Sequence, residues 1–463
     1  MKFFQGLFRS DINPLNNKSR TLPILNPKDK YGRTFHLSWI GYFVAFISWF
    51  AFPPLIHNII QKDMQLTRAQ VATSNTIALV STLLTRFIVG PLCDKYGPRY
   101  VMVACLLIGS IPTALVPLIT NATGLFIIRF FIGILGGTFV PCQVWTGQFF
   151  DKNIVGFATA LSAGFGNSGG GVTFFLMPAV VSSLIHDHNF SEYWAWRLAF
   201  PMCPLVIILI MAMIVLIFGH DTPTGSWNQR IESNPAERVQ MITELGTKIE
   251  LEDETPRAPT FRDIVKTTLS LQTALVALSY FCTFGTELAI EGIISDFYIQ
   301  TARNRDGVIW SYTRAGYWAA AYGLLNIFAR PFGGFISDVV YRKYSIIAKK
   351  WLFIVLVFLH GVILISIGLT NLKIYPLICL MTIAGLSAQA SNGAIFGLVP
   401  LIHSSFSGIV SGVTGASGNI GGIIFNFVFL LFGSNYLTAL CVIGVYCSCS
   451  SIIVSFIPLK KKE

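Results

Sequence analysis

Twelve apolar runs of about twenty residues set the limits on what this chain can fold into, because each is long enough as helix to cross the ~30 Å hydrocarbon core of a bilayer. They begin near residues 37, 70, 100, 124, 155 and 198, and again near 268, 312, 350, 375, 405 and 436. The 463 residues are 53% hydrophobic and 12% charged, whereas about a quarter of a soluble domain is charged. In lipid only helices and closed barrels satisfy the backbone, and the period-two alternation of barrel strands is nowhere evident. The expectation is an all-α membrane protein of twelve transmembrane helices in two bundles of six. The expected units are a tail over residues 1–34, a bundle over 35–218, a polar linker over 219–266, a bundle over 267–457 and a closing tail over 458–463.

The two sixes carry the same markings. Arg86-Phe-Ile-Val-Gly90-Pro-Leu-Cys-Asp94 recurs as Arg330-Pro-Phe-Gly-Gly334-Phe-Ile-Ser-Asp338, and Gly164-Phe-Gly166-Asn167-Ser-Gly169-Gly170 as Ala416-Ser-Gly418-Asn419-Ile-Gly421-Gly422. Both motifs return at about half the chain length. Internal repeats in an apolar chain are how transporters are built, with binding where the repeats meet.

The net charge of +11 is placed for a membrane and not for nucleic acid. Basic residues cluster before span one (Lys2, Arg9, Lys18, Arg20, Lys28, Lys30, Arg33), after span two (Lys95, Arg99), after span eight (Arg342, Lys343, Lys349, Lys350) and at Lys460 to Lys462. The positive-inside rule then puts both termini in the cytosol, with Arg303, Arg305 and Arg314 as exceptions on the outer side. The polar, basic first 34 residues make span one an expected uncleaved anchor. The nine cysteines lie in or beside apolar spans without metal spacing and read as small hydrophobes. The linker is expected to hold one short amphipathic helix around Pro235–Gly246. No phosphate-binding glycine loop appears, so ATP is not the expected energy source and no cofactor is expected.

Asp94 and Asp338 mark the cytosolic ends of spans two and eight. Each arginine lies eight residues earlier, ~12 Å up a helix rising 1.5 Å per residue, which puts Arg86 and Arg330 near the midplane. An arginine there costs about 2.5–3.5 kcal/mol even on the lenient insertion scale. Spans one to six offer almost no carboxylate at that depth, which leaves a water-filled cavity or an anion, and a substrate anion is favoured over structural pairing. Asn167 and Asn419 fall at similar depth, where their carboxamides need partners. Around them Gly166 with Gly170, and Gly418 with Gly422, form G-x-x-x-G faces for helix packing.

The turn Gly90-x3-Asp94-Lys-x-Gly97-x-Arg99 resembles the loop signature of the major facilitator superfamily, whose layout is twelve spans in two sixes. The glycine-asparagine segments resemble the signature of its nitrate/nitrite porter family. Phe139-Val-Pro-Cys-Gln-Val-Trp145, Ala163-Gly-Phe-Gly-Asn-Ser-Gly-Gly-Gly171, Phe284-Gly-Thr-Glu287-Leu288 and Asp221-Thr-Pro-Thr-Gly225 are similar to its fungal high-affinity nitrate transporters. Two departures are Phe165, where the family usually carries Trp, and a linker short for the fungal members. The resemblance implies a plasma-membrane transporter, not an enzyme, in which Arg86 and Arg330 clamp nitrate or nitrite with Phe139, Tyr280 and Phe284 around it. A monomer is expected. A planar guanidinium fork suits a planar anion better than a lysine point charge, and aromatic walls above and below a flat ion would exclude tetrahedral phosphate and sulfate by shape.

Tyr280, Phe284, Glu287 and Glu291 follow helical spacing and share one face of span seven. Glu291 is near enough to the outer end to be solvated. Glu287 is either a proton carrier or the ion-pair partner of an arginine such as Arg129, which lies in Arg129-Phe-Phe-Ile-Gly133, a segment resembling a second superfamily motif linked to proton coupling. A cell interior negative by 100 mV opposes each entering anion by ~2.3 kcal/mol, so import by proton symport is expected. A nitrate/nitrite exchanger on the same fold is the alternative. A non-transporting sensor is disfavoured by the short linker and final tail.

Overall fold

The computed structural model describes residues 5–14, 16–227, 258–403 and 405–459. Among the described residues, eleven helical stretches are long and apolar enough to cross a membrane: Lys30–Leu55, Ala69–Tyr96, Pro98–Leu118, Ala122–Phe149, Val155–His186 and Glu192–Phe218 form spans one to six, and Leu271–Asp306, Ile346–Leu369, Ile374–Ile402, Ser407–Phe432 and Tyr436–Ser455 form spans seven and nine to twelve. Span eight is in pieces, Tyr312–Leu324 and Ala329–Lys343 joined through a 3-10 turn at Leu325–Ile327. Arg314, Arg330, Asp338, Arg342 and Lys343 keep it less apolar than the rest. The expected linker helix around Pro235–Gly246, together with Lys2 and Lys460 to Lys462, lies outside the described residues.

Helix ends follow local chemistry. Asp29 caps span one by accepting from Tyr31 N and Gly32 N, and Thr67 with Gln70 forms a capping box at the start of span two. Span two stops at Gly97, whose φ of 89° suits glycine, and Pro98 opens span three. Span seven ends on Gly307 at φ 65°.

Spans two and eleven, and spans five and eight, pack against each other across the two sixes. At the end of the molecule where the described chain begins and ends, Asp94 accepts from Gly408 N and Ile409 N at 2.8 Å each, and Asp338 accepts from Gly156 N at 3.1 Å and Phe157 N at 2.6 Å. Each aspartate of one half thus caps the first turn of a helix of the other, where unpaired N–H groups and the helix dipole favour an anion. Lys349 adds an ion pair to Asp338 at 2.9 Å. The halves are held together at this end.

The segment before span one is strapped beneath the first half. Ser19 bridges to Phe150, and Asp151 accepts from Asn13 at 2.8 Å and Asn16 at 3.2 Å. Burial would raise the Asp151 carboxyl, but those amides, the Asn153 backbone N–H and nearby Lys18 outweigh it and hold it below the usual carboxylate range. Its contribution is therefore present above the ordinary carboxylate pKa and lost as pH falls through the lowered one. Asp151→Ala should expose residues 5–29 to protease at neutral pH, at least tenfold faster if the two side-chain bonds contribute about 1.5 kcal/mol together. Unchanged cleavage would show that the strap does not depend on them.

Candidate functional site

Arg86 and Arg330 arrive by the same spacing from Asp94 and Asp338, and both are buried, at 0% and 1% exposure. Arg86 donates Nε to Gly136 O at 3.1 Å in its own half and Nη1 to Gly415 O at 2.7 Å in the other. Its remaining nitrogen, Nη2, has no hydrogen-bond partner among the described residues, nor does any nitrogen of Arg330. The Phe284 ring serves both, 5.6 Å from Arg86 Cζ and 5.7 Å from Arg330 Cζ, while Phe139 lies 4.9 Å from Arg86 Cζ. A ring face offsets part of the cost of a buried cation. Two like charges sharing one low-dielectric region nonetheless repel.

The aromatic groups are arranged differently from two walls around a flat ion. Tyr280 stacks on Phe284 with centroids 4.9 Å apart and planes at 11°, and Phe139 continues the column at 6.2 Å and 17°. The Tyr280 hydroxyl lies beside the Arg330 guanidinium without a hydrogen bond of good geometry to any described residue.

Glu287 corrects a second expectation. Its Oε2 is 3.6 Å from Arg330 Nη2, so one of the two motif arginines does have a carboxylate beside it, supplied by its own half. Arg129 is elsewhere, with Nη1 3.5 Å from Ser74 Oγ and its Cζ 5.2 Å from the Phe52 ring. Glu287 is also held by two amides, Asn326 Nδ2 on Oε1 at 2.5 Å and Asn392 Nδ2 on Oε2 at 2.8 Å. Glu291 lies one turn outward, partly exposed.

From Gly166 and Gly418 onward the glycine-asparagine segments pack within the halves. Gly166 of span five makes room for the Tyr42 ring of span one, and Gly169 meets the Phe43 carbonyl. In the second half Gly418 makes room for Tyr280 and Phe284, a Cβ there falling 2.7–2.8 Å from their rings, and Gly421 meets the Phe281 carbonyl. Backbone contact is therefore made by Gly169 and Gly421, while Gly170 and Gly422 face Phe50 and Leu288. Glycines that meet the other half include Gly164 at the start of the first segment, against Asn326 O, together with Gly90 against Gly408 O and Gly334 against Gly156 O. Asn167 accepts from the Tyr42 hydroxyl and its Nδ2 has no partner among the described residues; neither polar atom of buried Asn419 has one.

Tyr42, Asn326 and Asn392 were not anticipated. Tyr42 was legible: Tyr42-Phe-Val-Ala-Phe46 in span one repeats as Tyr280-Phe-Cys-Thr-Phe284 in span seven, and both tyrosines lean on the matching glycine. The asparagines carried a weaker sign, an amide inside an apolar run. Together these groups form a buried, positively charged, aromatic-floored centre with unused N–H donors, suited to a small anion.

Residues 38–426 match the family model described as Major Facilitator Superfamily. The chain is 30% identical, over 95% of its length and 83% of the relative's, to High affinity nitrate transporter 2.5 of Arabidopsis thaliana. It is 27% identical to a nitrate/nitrite transporter of Nostoc punctiforme, covering 87% of each. The crystal structure of a variant of the E. coli fucose:proton symporter superposes with a TM-score of 0.64 at 13% identity, covering 93% of this chain and 100% of that one, a likeness of fold.

Proposed function

From a chain that belongs to the Major Facilitator Superfamily, in its nitrate/nitrite porter family, we propose a plasma-membrane transporter that imports nitrate, and nitrite with it, by alternating access coupled to proton symport. The observation that carries this reading is the pair of buried guanidinium groups, one from each half, sharing the Phe284 ring and holding unused donors at Arg86 Nη2 and around all of Arg330. An anion between them turns mutual repulsion into two charge-assisted pairs and favours a state in which the halves close around it. Asn167, Asn419, Tyr42 and Tyr280 are the neutral groups that complete the site.

Glu287 is the proton carrier. Ionised, it competes with the anion for Arg330; neutral, it leaves Arg330 to the anion, so proton and anion affinities rise together. With both termini in the cytosol, the Asp94 and Asp338 caps close the inner end, and their release opens it. A negative interior opposes the anion by ~2.3 kcal/mol per 100 mV; one proton per nitrate cancels that opposition, and a second lets the voltage itself drive uptake. In proteoliposomes with imposed gradients, an inward proton gradient and a negative interior should each accelerate nitrate uptake. Uptake indifferent to both, and driven by internal nitrite alone, would replace symport by exchange.

A further inference from the structure

We infer that Asn326 is the positioning residue that carries the charge state of Glu287 to the interface between the halves, an inference that rests on the proton-carrier role proposed for Glu287. Asn326 is 3% exposed and sits in the 3-10 turn Leu325–Ile327, where the two helical pieces of span eight meet. Its side chain faces one way: Nδ2 donates to Glu287 Oε1 at 2.5 Å and to Gly323 O at 3.3 Å. Its backbone carbonyl faces the other, packed so closely on Gly164 of span five that a Cβ there would overlap it, with Pro331 Cδ 3.2 Å from the same point. One residue thus touches the carboxylate in its own half and the glycine-asparagine segment of the other, four positions before Arg330.

An ionised carboxylate accepts on both oxygens, which suits the two amide donors. A protonated carboxyl presents an O–H on one oxygen, so one amide then points a donor at a donor and must turn. Asn392 is pinned, because its Oδ1 accepts from Thr283 Oγ1 at 2.5 Å. Asn326 is not: its Oδ1 has no hydrogen-bond partner among the described residues. Turning Asn326 presents that oxygen to the new O–H and gives up only the bond to Gly323 O, which spans the break in the helix. A 3-10 turn has poorer hydrogen-bond geometry than the helices it joins, so this is where span eight yields most readily. Neutralising Glu287 therefore frees Arg330 and loosens the joint that packs on Gly164 in one event.

Among the described residues the charged or titratable groups within reach of Glu287 are Arg330 and Tyr322 from span eight and Glu291 and Tyr280 from span seven. Span ten contributes the neutral amide of Asn392. The atoms nearest a Cβ at Gly164 of span five belong to Asn326 and Pro331.

The test compares pH-gradient-driven nitrate uptake with nitrate counterflow at uniform pH in proteoliposomes of the full chain. Asn392→Ala removes a donor from the ionised carboxylate alone, so the pH dependence of nitrate affinity should move to higher pH by about one unit, whereas Asn326→Ala removes a partner from both charge states and should move it less. Asn326→Ala alone should also lose about tenfold or more of the acceleration by the pH gradient while counterflow persists. Asn326→Ser repeats the measurement if the alanine variant does not reach the membrane. Native acceleration in the Asn326 variant, or an equal loss in Asn392→Ala, overturns the role assigned to Asn326. A Glu287→Gln protein with native pH dependence overturns the proton-carrier role instead, whatever the asparagine variants do. With the carrier role correct, adding Asn326→Ala to Glu287→Gln changes the pH dependence no further.

Discussion

Nitrate affinity should fall about thirtyfold or more when Arg330 is replaced by lysine, the equivalent of losing about 2 kcal/mol of charge-assisted hydrogen bonding. Lysine keeps the charge and loses the planar fork. No nitrogen of the Arg330 side chain meets another described residue in good hydrogen-bond geometry, so the substitution removes little besides its contacts with Glu287, the Tyr280 hydroxyl and the Phe284 ring, and the protein should still reach the membrane. Arg86→Lys should lose at least as much affinity. It also weakens the bridge from span two to Gly415 O in span eleven, so its turnover should suffer more than its expression. The measurement is nitrate binding and uptake by each variant at matched membrane levels. Near-native affinity in Arg330→Lys would remove the two-arginine clamp.

A methyl group added at Gly334 and one added at Gly418 should give opposite defects. Gly334 packs on the Gly156 carbonyl and the Ala160 side chain across the interface between the halves. Gly334→Ala therefore obstructs closure of the end held by the Asp94 and Asp338 caps. An overpacked contact costs about 1–3 kcal/mol, enough to shift that conformational equilibrium about five- to a hundredfold and to slow turnover accordingly, with binding to the open form retained. Gly418 lies within its own half under Tyr280 and Phe284, so Gly418→Ala pushes the column toward the arginines and should weaken affinity with the closure of the halves untouched. The check is to measure binding and turnover separately in both variants; the same defect in the two would show that the interface and the aromatic column are not separate devices.

The repeated motifs made much of this legible beforehand. Eight residues of helix between each arginine and its aspartate set both guanidinium groups at the same ~12 Å from the capped end, because rise per residue depends on no partner. Twelve apolar lengths and their distribution gave the two sixes for the same reason. The break in span eight was less legible: a run from residue 312 carrying Arg330 read as one helix, while the structure places a 3-10 turn shortly before that arginine.

Contacts around the helices followed other rules. Glu287 could be given a depth and a face from its spacing to Tyr280 and Phe284, but a face does not say which helix it turns toward, so Arg330 and not Arg129 stands beside it. Gly166 and Gly418 were recognisable as close-approach positions, yet whether they meet the other half or a tyrosine of their own depends on how spans one and five, and seven and eleven, are rotated together. Helix length and periodicity are properties of a single segment and were determined by the sequence alone. Azimuth and neighbour are properties of pairs of segments, set by the packing of the whole bundle, and only the tertiary structure decided that a carboxylate, two amides and an arginine would share one buried centre.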